Sequence, residues 1–183
     1  LPVFARNLVA TSHPLAAQAG LRMLAAGGNA VDAAVAVGYA LAVVYPAAGN
    51  LGGGGFMTIQ LADGRKTFLD FRETAPKGAT ANMYLDKDGN VIAGLSTKGH
   101  LAVGVPGSVA GMEYAREKYG TMKRADVIAP ALQLAEDGFV LDQGDVSMFQ
   151  TATKDFEDDP ASAAIFLNNG KPFQVGERLA QHE

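Results

Sequence analysis

From the amino terminus to Ala62 the chain carries three charged side chains, Arg6, Arg22 and Asp32, whereas the remaining 121 residues carry 31. Charged residues cover the surfaces of globular proteins and are almost never buried without a partner, so this front third is expected to be mostly interior. The whole chain has 183 residues, 48% apolar and 19% charged, with a formal net charge of -4. Such a chain is globular and long enough to bury about 70% of its unfolded surface in one core. It has no basic run, so nucleic acid is not expected as a partner. Its lack of cysteine excludes disulfides, a thiolate nucleophile and Cys-ligated metal. The longest uncharged apolar stretch lies inside Ala33 to Val44, between Asp32 and Pro46. That is well short of the ~20 residues that span a bilayer, and no membrane span is expected. The opening Leu1-Pro2-Val3-Phe4 has neither an initiator methionine nor a basic-then-apolar leader; a removed signal sequence or a chain cut back from a longer one is expected.

Periodicity and turn residues place the elements. Asn7 to Ala10 reads as a short strand. Ser12 is placed as an N-cap ahead of Pro14, with Ala16, Ala19, Gly20, Met23 and Leu24 at helical spacing until Gly27-Gly28. Asn29 caps a second helix, Ala30 to about Val44, with Asp32 in its first turn at the positive end of the helix dipole. That helix is apolar on every side and is expected to be buried all round. Five of the 22 glycines then fall within seven residues, Gly49 to Gly55, where backbone must pass close to something. Phe56 to Ala62 and Arg65 to Phe71 flank Asp63-Gly64, which predicts an antiparallel hairpin closed by a type I′ turn. A second turn is expected at Asp86 to Asn90. Pro106-Gly107-Ser108 opens a third helix with Val109, Met112, Ala115 and Tyr119 on one face. A fourth is expected from Arg124 to Asp137 with a stripe of Val127, Ile128, Ala131, Leu132 and Ala135. Glu136 to Asp159 holds eight acids and one lysine, whose plain reading is a solvated face or loop. Asn168 to Lys171 is expected to turn a last small hairpin between Ile165–Leu167 and Phe173–Val175. The class is α+β rather than a regular βαβ chain.

Few residues offer chemistry. The glycine cluster follows a helix and precedes a strand, the reverse of a phosphate loop, and lacks Gly-Lys-Ser/Thr; close backbone passage explains it better. His13, His100 and His182 are far apart, so neither a metal nor another cofactor is expected. No serine stands in Gly-x-Ser-x-Gly. Arg72, at the end of the hairpin strand beside Glu73, is placed where a guanidinium fork could hold a carboxylate in two parallel hydrogen bonds. On chemistry alone the plainer reading is the stronger one, with Arg72 and Glu73 on opposite faces of a strand end and paired with surface charges.

Three long runs are more specific: Ala26-Gly27-Gly28-Asn29-Ala30-Val31-Asp32-Ala33-Ala34-Val35-Ala36, Pro46-Ala47-Ala48-Gly49-Asn50-Leu51-Gly52-Gly53-Gly54-Gly55-Phe56-Met57, and Asp70-Phe71-Arg72-Glu73-Thr74-Ala75-Pro76. With Gly104 to Gly111 and Lys118-Tyr119-Gly120-Thr121 in the same order, they resemble the amino-terminal half of the large subunit of gamma-glutamyltransferases, over nearly the whole chain.

The resemblance implies an N-terminal-nucleophile hydrolase fold, a four-layer αββα sandwich completed by a small subunit of the same precursor, the heterodimer partner. Residues 1–183 are then expected to be one domain, incomplete by itself. It implies γ-glutamyl transfer from glutathione or a related amide to water, an amino acid or a peptide. The nucleophile is the amino-terminal threonine of the small subunit, freed by self-cleavage, with its own amine as base and backbone N–H groups as oxyanion hole. No catalytic residue is expected on this chain, which alone should be inactive. Arg72 takes the place of the arginine that binds the donor α-carboxylate, and Glu73 is a weaker candidate for supporting the site or the donor's amino group. A related cephalosporin or glutaryl acylase, or a non-catalytic binding domain, are the alternatives. The location implied is periplasmic or secreted.

Overall fold

The computed structural model describes residues 7–182; Leu1 to Phe4 and Arg6 lie outside them. In chain order the elements are α1 (Pro14–Ala25), α2 (Ala30–Val44), β1 (Phe56–Gln60), β2 (Lys66–Asp70), a 3₁₀ turn (His100–Ala102), α3 (Ser108–Tyr119), α4 (Arg124–Glu136), β3 (Phe139–Val140), α5 (Gln143–Gln150), α6 (Thr153–Glu157), α7 (Pro160–Phe166), β4 (Leu167–Asn168), β5 (Lys171–Pro172) and β6 (Arg178–Leu179). Among the described residues all strand pairs are antiparallel, β1 with β2, β3 with β6 and β4 with β5, in keeping with the α+β expectation. No helix among them is long and apolar enough to cross a membrane. The chain forms two compact units, one of Leu51–Tyr114 and one of the residues on either side of it.

In the flanking unit, α1 is stopped by a Schellman turn: Gly28 N–H donates to Met23 O and Gly27 N–H to Leu24 O, with Gly27 at φ +90°. Its N-cap is His13, not Ser12. The ring Nδ1 accepts from Leu15 N–H at 3.2 Å, which puts the ring proton on Nε2, 3.4 Å from Asp145 Oδ1. Both residues are buried. An imidazole reaches the first-turn amide as well as a hydroxyl does and can be held by a second partner, which Ser12 lacks. Residues 7–10 join no strand among the described residues.

The start of α2 is held by one buried carboxylate. Asp32 is fully buried and accepts from Asn29 N–H (2.8 Å), Met122 N–H (3.0 Å), Thr121 N–H (3.0 Å) and the Thr121 hydroxyl (2.8 Å). Asn29 completes the capping box, accepting from Val31 and Asp32 N–H, and its side-chain amide donates to Tyr119 O at 2.7 Å. The N-terminus of α2 and the turn after α3 are thereby tied through neutral donors alone. Burial pushes the Asp32 carboxyl up, but the hydrogen bonds from Asn29, Met122 and Thr121 outweigh it and hold the carboxyl below its ordinary value.

Helix α2 keeps the expected span but not the expected burial. Val31, Val35, Tyr39, Ala40 and Val44 are covered, whereas Ala34 is exposed and Val37 and Leu41 are half-buried. Together with Leu8, Val9 and Leu24, Ala34 and Val37 line a shallow apolar depression of about 280 Å³. Gly20 brings α1 close to α2, since a Cβ there would meet Val37 Cγ2 at 2.8 Å. The core below collects Ala16, Ala19, Ala40 and Val44 with Phe139, Leu141, Val146, Phe149, Phe173 and Leu179, each large side chain worth ~1.5–3 kcal/mol on burial.

Four of those ten core residues, Phe139, Leu141, Val146 and Phe149, come from the acidic stretch expected to be a solvated face or loop, which instead forms β3, α5 and α6. Three of its eight carboxylates serve helix starts. Asp142 and Asp145 close a reciprocal capping box on α5, and Asp159 accepts from Ser162 N–H at the start of α7. In the last hairpin Asn169 and Gly170 sit at φ +51° and +76°, a two-residue I′ turn. Ile165 and Phe166 form the last residues of α7 rather than a strand. Leu132 on α4 is exposed, the buried stripe being Val127, Pro130 and Ala131.

In the middle unit the β1–β2 hairpin pairs Phe56 with Asp70 and Gln60 with Lys66, continuing at Gly55 with Phe71. The closing loop differs from the expected I′ turn. Leu61 N–H donates to Arg65 O and Gly64 N–H to Leu61 O, and of the loop residues only Gly64 has positive φ, at +87°. This is a three-residue loop ending in a left-handed glycine, and it moves the register by one residue. Asp63 stays out of the left-handed region because its carboxylate is held by Arg65, through the backbone N–H and Nε. The second turn uses the same device, Gly89 at φ +83° closing a loop bridged at Leu85 and Val91.

The glycine cluster serves Phe71. A Cβ on Gly55 would lie 2.9 Å from the Phe71 ring, one on Gly111 would collide with that ring, one on Gly107 with Phe71 O, and one on Gly54 would stand 2.6 Å from both Phe71 O and Glu73 N. Gly107 and Ser108 N–H both donate to Gly53 O, closing this cradle at the start of α3. The buried face of α3 is Ser108, Gly111, Met112 and Ala115, and Val109 points outward.

Two outcomes follow. In the full-length protein Asp32→Asn is expected to cost about 3 kcal/mol in denaturant unfolding, because an amide cannot accept from all these donors. The Asp32 carboxyl being lowered in the folded chain, its contribution is complete above the ordinary carboxylate range and is lost as pH falls from there through its native value; the Asn variant should lose that part of the acid sensitivity. Gly111→Ala is expected to lower Tm, against the ~1 kcal/mol by which alanine ordinarily favours a helix, because its Cβ meets the Phe71 ring. A raised Tm would contradict this packing.

Candidate functional site

Arg72 stands in the middle unit between two places where the main chain is clamped. Before it, Phe71 is fixed in the glycine cradle. After it, Thr74 and Val105 exchange both backbone hydrogen bonds, at 3.2 and 2.8 Å, and a Cβ on Gly104 would lie 3.2 Å from Glu73 Cβ. The two residues between these clamps project their side chains outward, with 58% exposure for Arg72 and 35% for Glu73. Asp70 Oδ1 accepts from Arg72 N–H at 3.1 Å, fixing the turn of the chain.

The sequence reading on opposite faces fails for this pair. Glu73 Oε2 accepts from Arg72 Nε at 2.7 Å, the bend after β2 bringing the neighbours together. The Glu73 carboxyl is held below its usual range by its own backbone N–H and by the Arg72 guanidinium. The two terminal nitrogens of Arg72 make no hydrogen bond among the described residues, so the fork that can bind a carboxylate bidentately points away from Glu73. The Arg72 Cζ lies 5.7 Å from the centre of the Phe56 ring, and Phe56 stacks on Phe68 with centroids 5.6 Å apart.

Neither Phe56 nor Asp70 emerged from the sequence as part of this cluster. Asp70 precedes Arg72 by two residues and so shares its face, whereas counting back from the loop finds Phe56 only if Ala62, Asp63 and Gly64 are all taken as loop. No group of three or more metal-ligating side chains is present among the described residues. What these residues can do is hold an anion.

Comparison with known proteins agrees over the whole chain. The family model described as Gamma-glutamyltranspeptidase matches residues 16–183. A glutathione hydrolase proenzyme of Pseudomonas sp. (strain A14) is 71% identical over all of this chain and 32% of its own length. The crystal structure of Helicobacter pylori gamma-glutamyltranspeptidase matches 99% of this chain and 52% of its own, at 48% identity and a TM-score of 0.94. An Acylase ACY 1 proenzyme of Pseudomonas sp. (strain SE83) is 42% identical over 97% of this chain and 33% of its own length. The chain thus spans about a third of the curated relatives it matches, and its mixed α/β fold is that of about half of the matched crystallised chain. It belongs to the gamma-glutamyltranspeptidase family.

Proposed function

We propose that the protein carrying this chain transfers γ-glutamyl groups, and that Arg72 binds the α-carboxylate of the donor. The observation that carries the reading is the free terminal edge of the Arg72 guanidinium, aimed outward from a backbone clamped on both sides. In this reading the chain supplies the binding half of the site inside a four-layer αββα sandwich. A small subunit cut from the same precursor supplies the threonine. Its hydroxyl oxygen adds to the γ-carbonyl carbon, the amide C–N bond breaks as the leaving amine takes up the proton, and the resulting ester passes its acyl group to water or to an amino acid or peptide. The 71% identity to a relative named glutathione hydrolase proenzyme supports glutathione-type donors. Glu73 supports the site by occupying Arg72 Nε, and as an acidic group beside Arg72 it is the candidate for the donor's ammonium. A periplasmic or secreted location belongs to the same reading, to be checked by cell fractionation.

The acylase relative at 42% identity supports a second reading, in which the acyl group is a glutaryl side chain, which keeps the terminal carboxylate but lacks the amino group of a γ-glutamyl donor. Assay of γ-glutamyl anilide beside a glutaryl-cephalosporin separates the two. In the full-length enzyme Arg72→Ala is expected to raise the KM for γ-glutamyl anilide at least tenfold, since a charge-assisted carboxylate interaction is worth ~1.5–3 kcal/mol, and to leave a donor lacking the α-carboxylate nearly unaffected. Unchanged KM for the γ-glutamyl donor would remove Arg72 from the site.

A further inference from the structure

The one-residue register of the β1–β2 hairpin has put an aromatic pair under the binding arginine. With Phe56 opposite Asp70 and Thr58 opposite Phe68, alternation places Phe56, Phe68, Asp70 and Arg72 on one face of the hairpin. Had Asp63-Gly64 closed a two-residue turn, Phe56 would oppose Phe71, and Arg72 would stand on the other face. The side chains realise this register. Phe68 stacks on Phe56 with ring planes 22° apart, and the Arg72 Cζ is 5.7 Å from the Phe56 centroid, inside the range in which a ring face attracts a guanidinium. Both rings are more than half exposed, at 56% and 59%. Glu73 meanwhile holds Nε.

We propose that Phe56, backed by Phe68, is a positioning residue for the donor site: its ring carries the Arg72 guanidinium while Glu73 takes Nε, leaving the terminal nitrogens to meet the donor's α-carboxylate. The proposal rests on the reading of Arg72 given above. Phe56 touches no substrate and acts through Arg72, so it tunes donor affinity and not the acyl-transfer step itself.

The test is a double-mutant cycle in the full-length enzyme with γ-glutamyl anilide as donor. Phe56→Leu is expected to raise KM about three- to fivefold, the effect of losing one cation–ring contact, with kcat within twofold of the parent. Phe56→Tyr, which keeps the ring, should stay within twofold in both. In an Arg72→Ala background Phe56→Leu should add nothing, because the contact it removes is already gone. An unchanged KM for Phe56→Leu, a fall in kcat to match, or full additivity with Arg72→Ala would overturn the platform alone. An unchanged KM for Arg72→Ala would instead overturn the donor-site reading beneath it. If Phe56→Leu does not accumulate as folded enzyme, Phe68→Leu carries the same cycle, with a smaller KM increase that must also vanish without Arg72.

Discussion

The position of Arg72 depends on a shortage of atoms. Phe71 lies where four neighbouring residues have no side chain, and at Gly54, Gly55, Gly107 and Gly111 a single added carbon would strike its ring, its carbonyl or the amide of Glu73. The glycines come from two places about fifty residues apart in the sequence, the loop before β1 and the start of α3. The donors of Gly107 and Ser108 on Gly53 O bind those places together. A strand end would ordinarily fray. Here it is fixed at Phe71 and again at Thr74, so the two residues between need no packing of their own and remain available to a ligand.

A parallel economy governs the flanking unit. One carboxylate, Asp32, collects the neutral orphan donors of a helix start and of the turn after α3. Neutral donors to a buried charge impose direction as well as energy. The start of α2 follows from that one node, its first turn being fixed by Asn29 and Asp32; its end is at Tyr45, whose N–H donates to Leu41 O ahead of Pro46.

Much of this was legible in the sequence. The spans of α1 and α2, the Asn29 cap and the Asn169-Gly170 turn each rest on residues within four positions of one another, where stereochemistry decides; the glycine cluster announced a close backbone passage but not that Phe71 is the residue it serves. What was not legible depends on distant partners. His13 displaces Ser12 as a cap because Asp145, more than a hundred residues later, holds its far nitrogen. The acidic stretch reads as solvated because its caps and its buried Val146 and Phe149 interleave, and charge counting cannot separate a helix start from a loop. Arg72 was found, but its neighbours Phe56 and Phe68 were not, because they depend on a register that Asp63-Gly64 leaves ambiguous between a two- and a three-residue loop. Asp63 decides it locally by bonding Arg65, a contact that composition does not announce.

The loop from Ala62 to Gly64 therefore governs the site by parity. Because side chains alternate with period two, gaining or losing one residue there would exchange the two faces of the hairpin, while gaining or losing two would keep them. Related chains can vary this tip in sequence and even in size, but only in even steps, if an aromatic ring is to stay beneath the arginine. A surface loop that touches no ligand thus restricts which insertions and deletions evolution can accept at a distance of several residues from the chemistry.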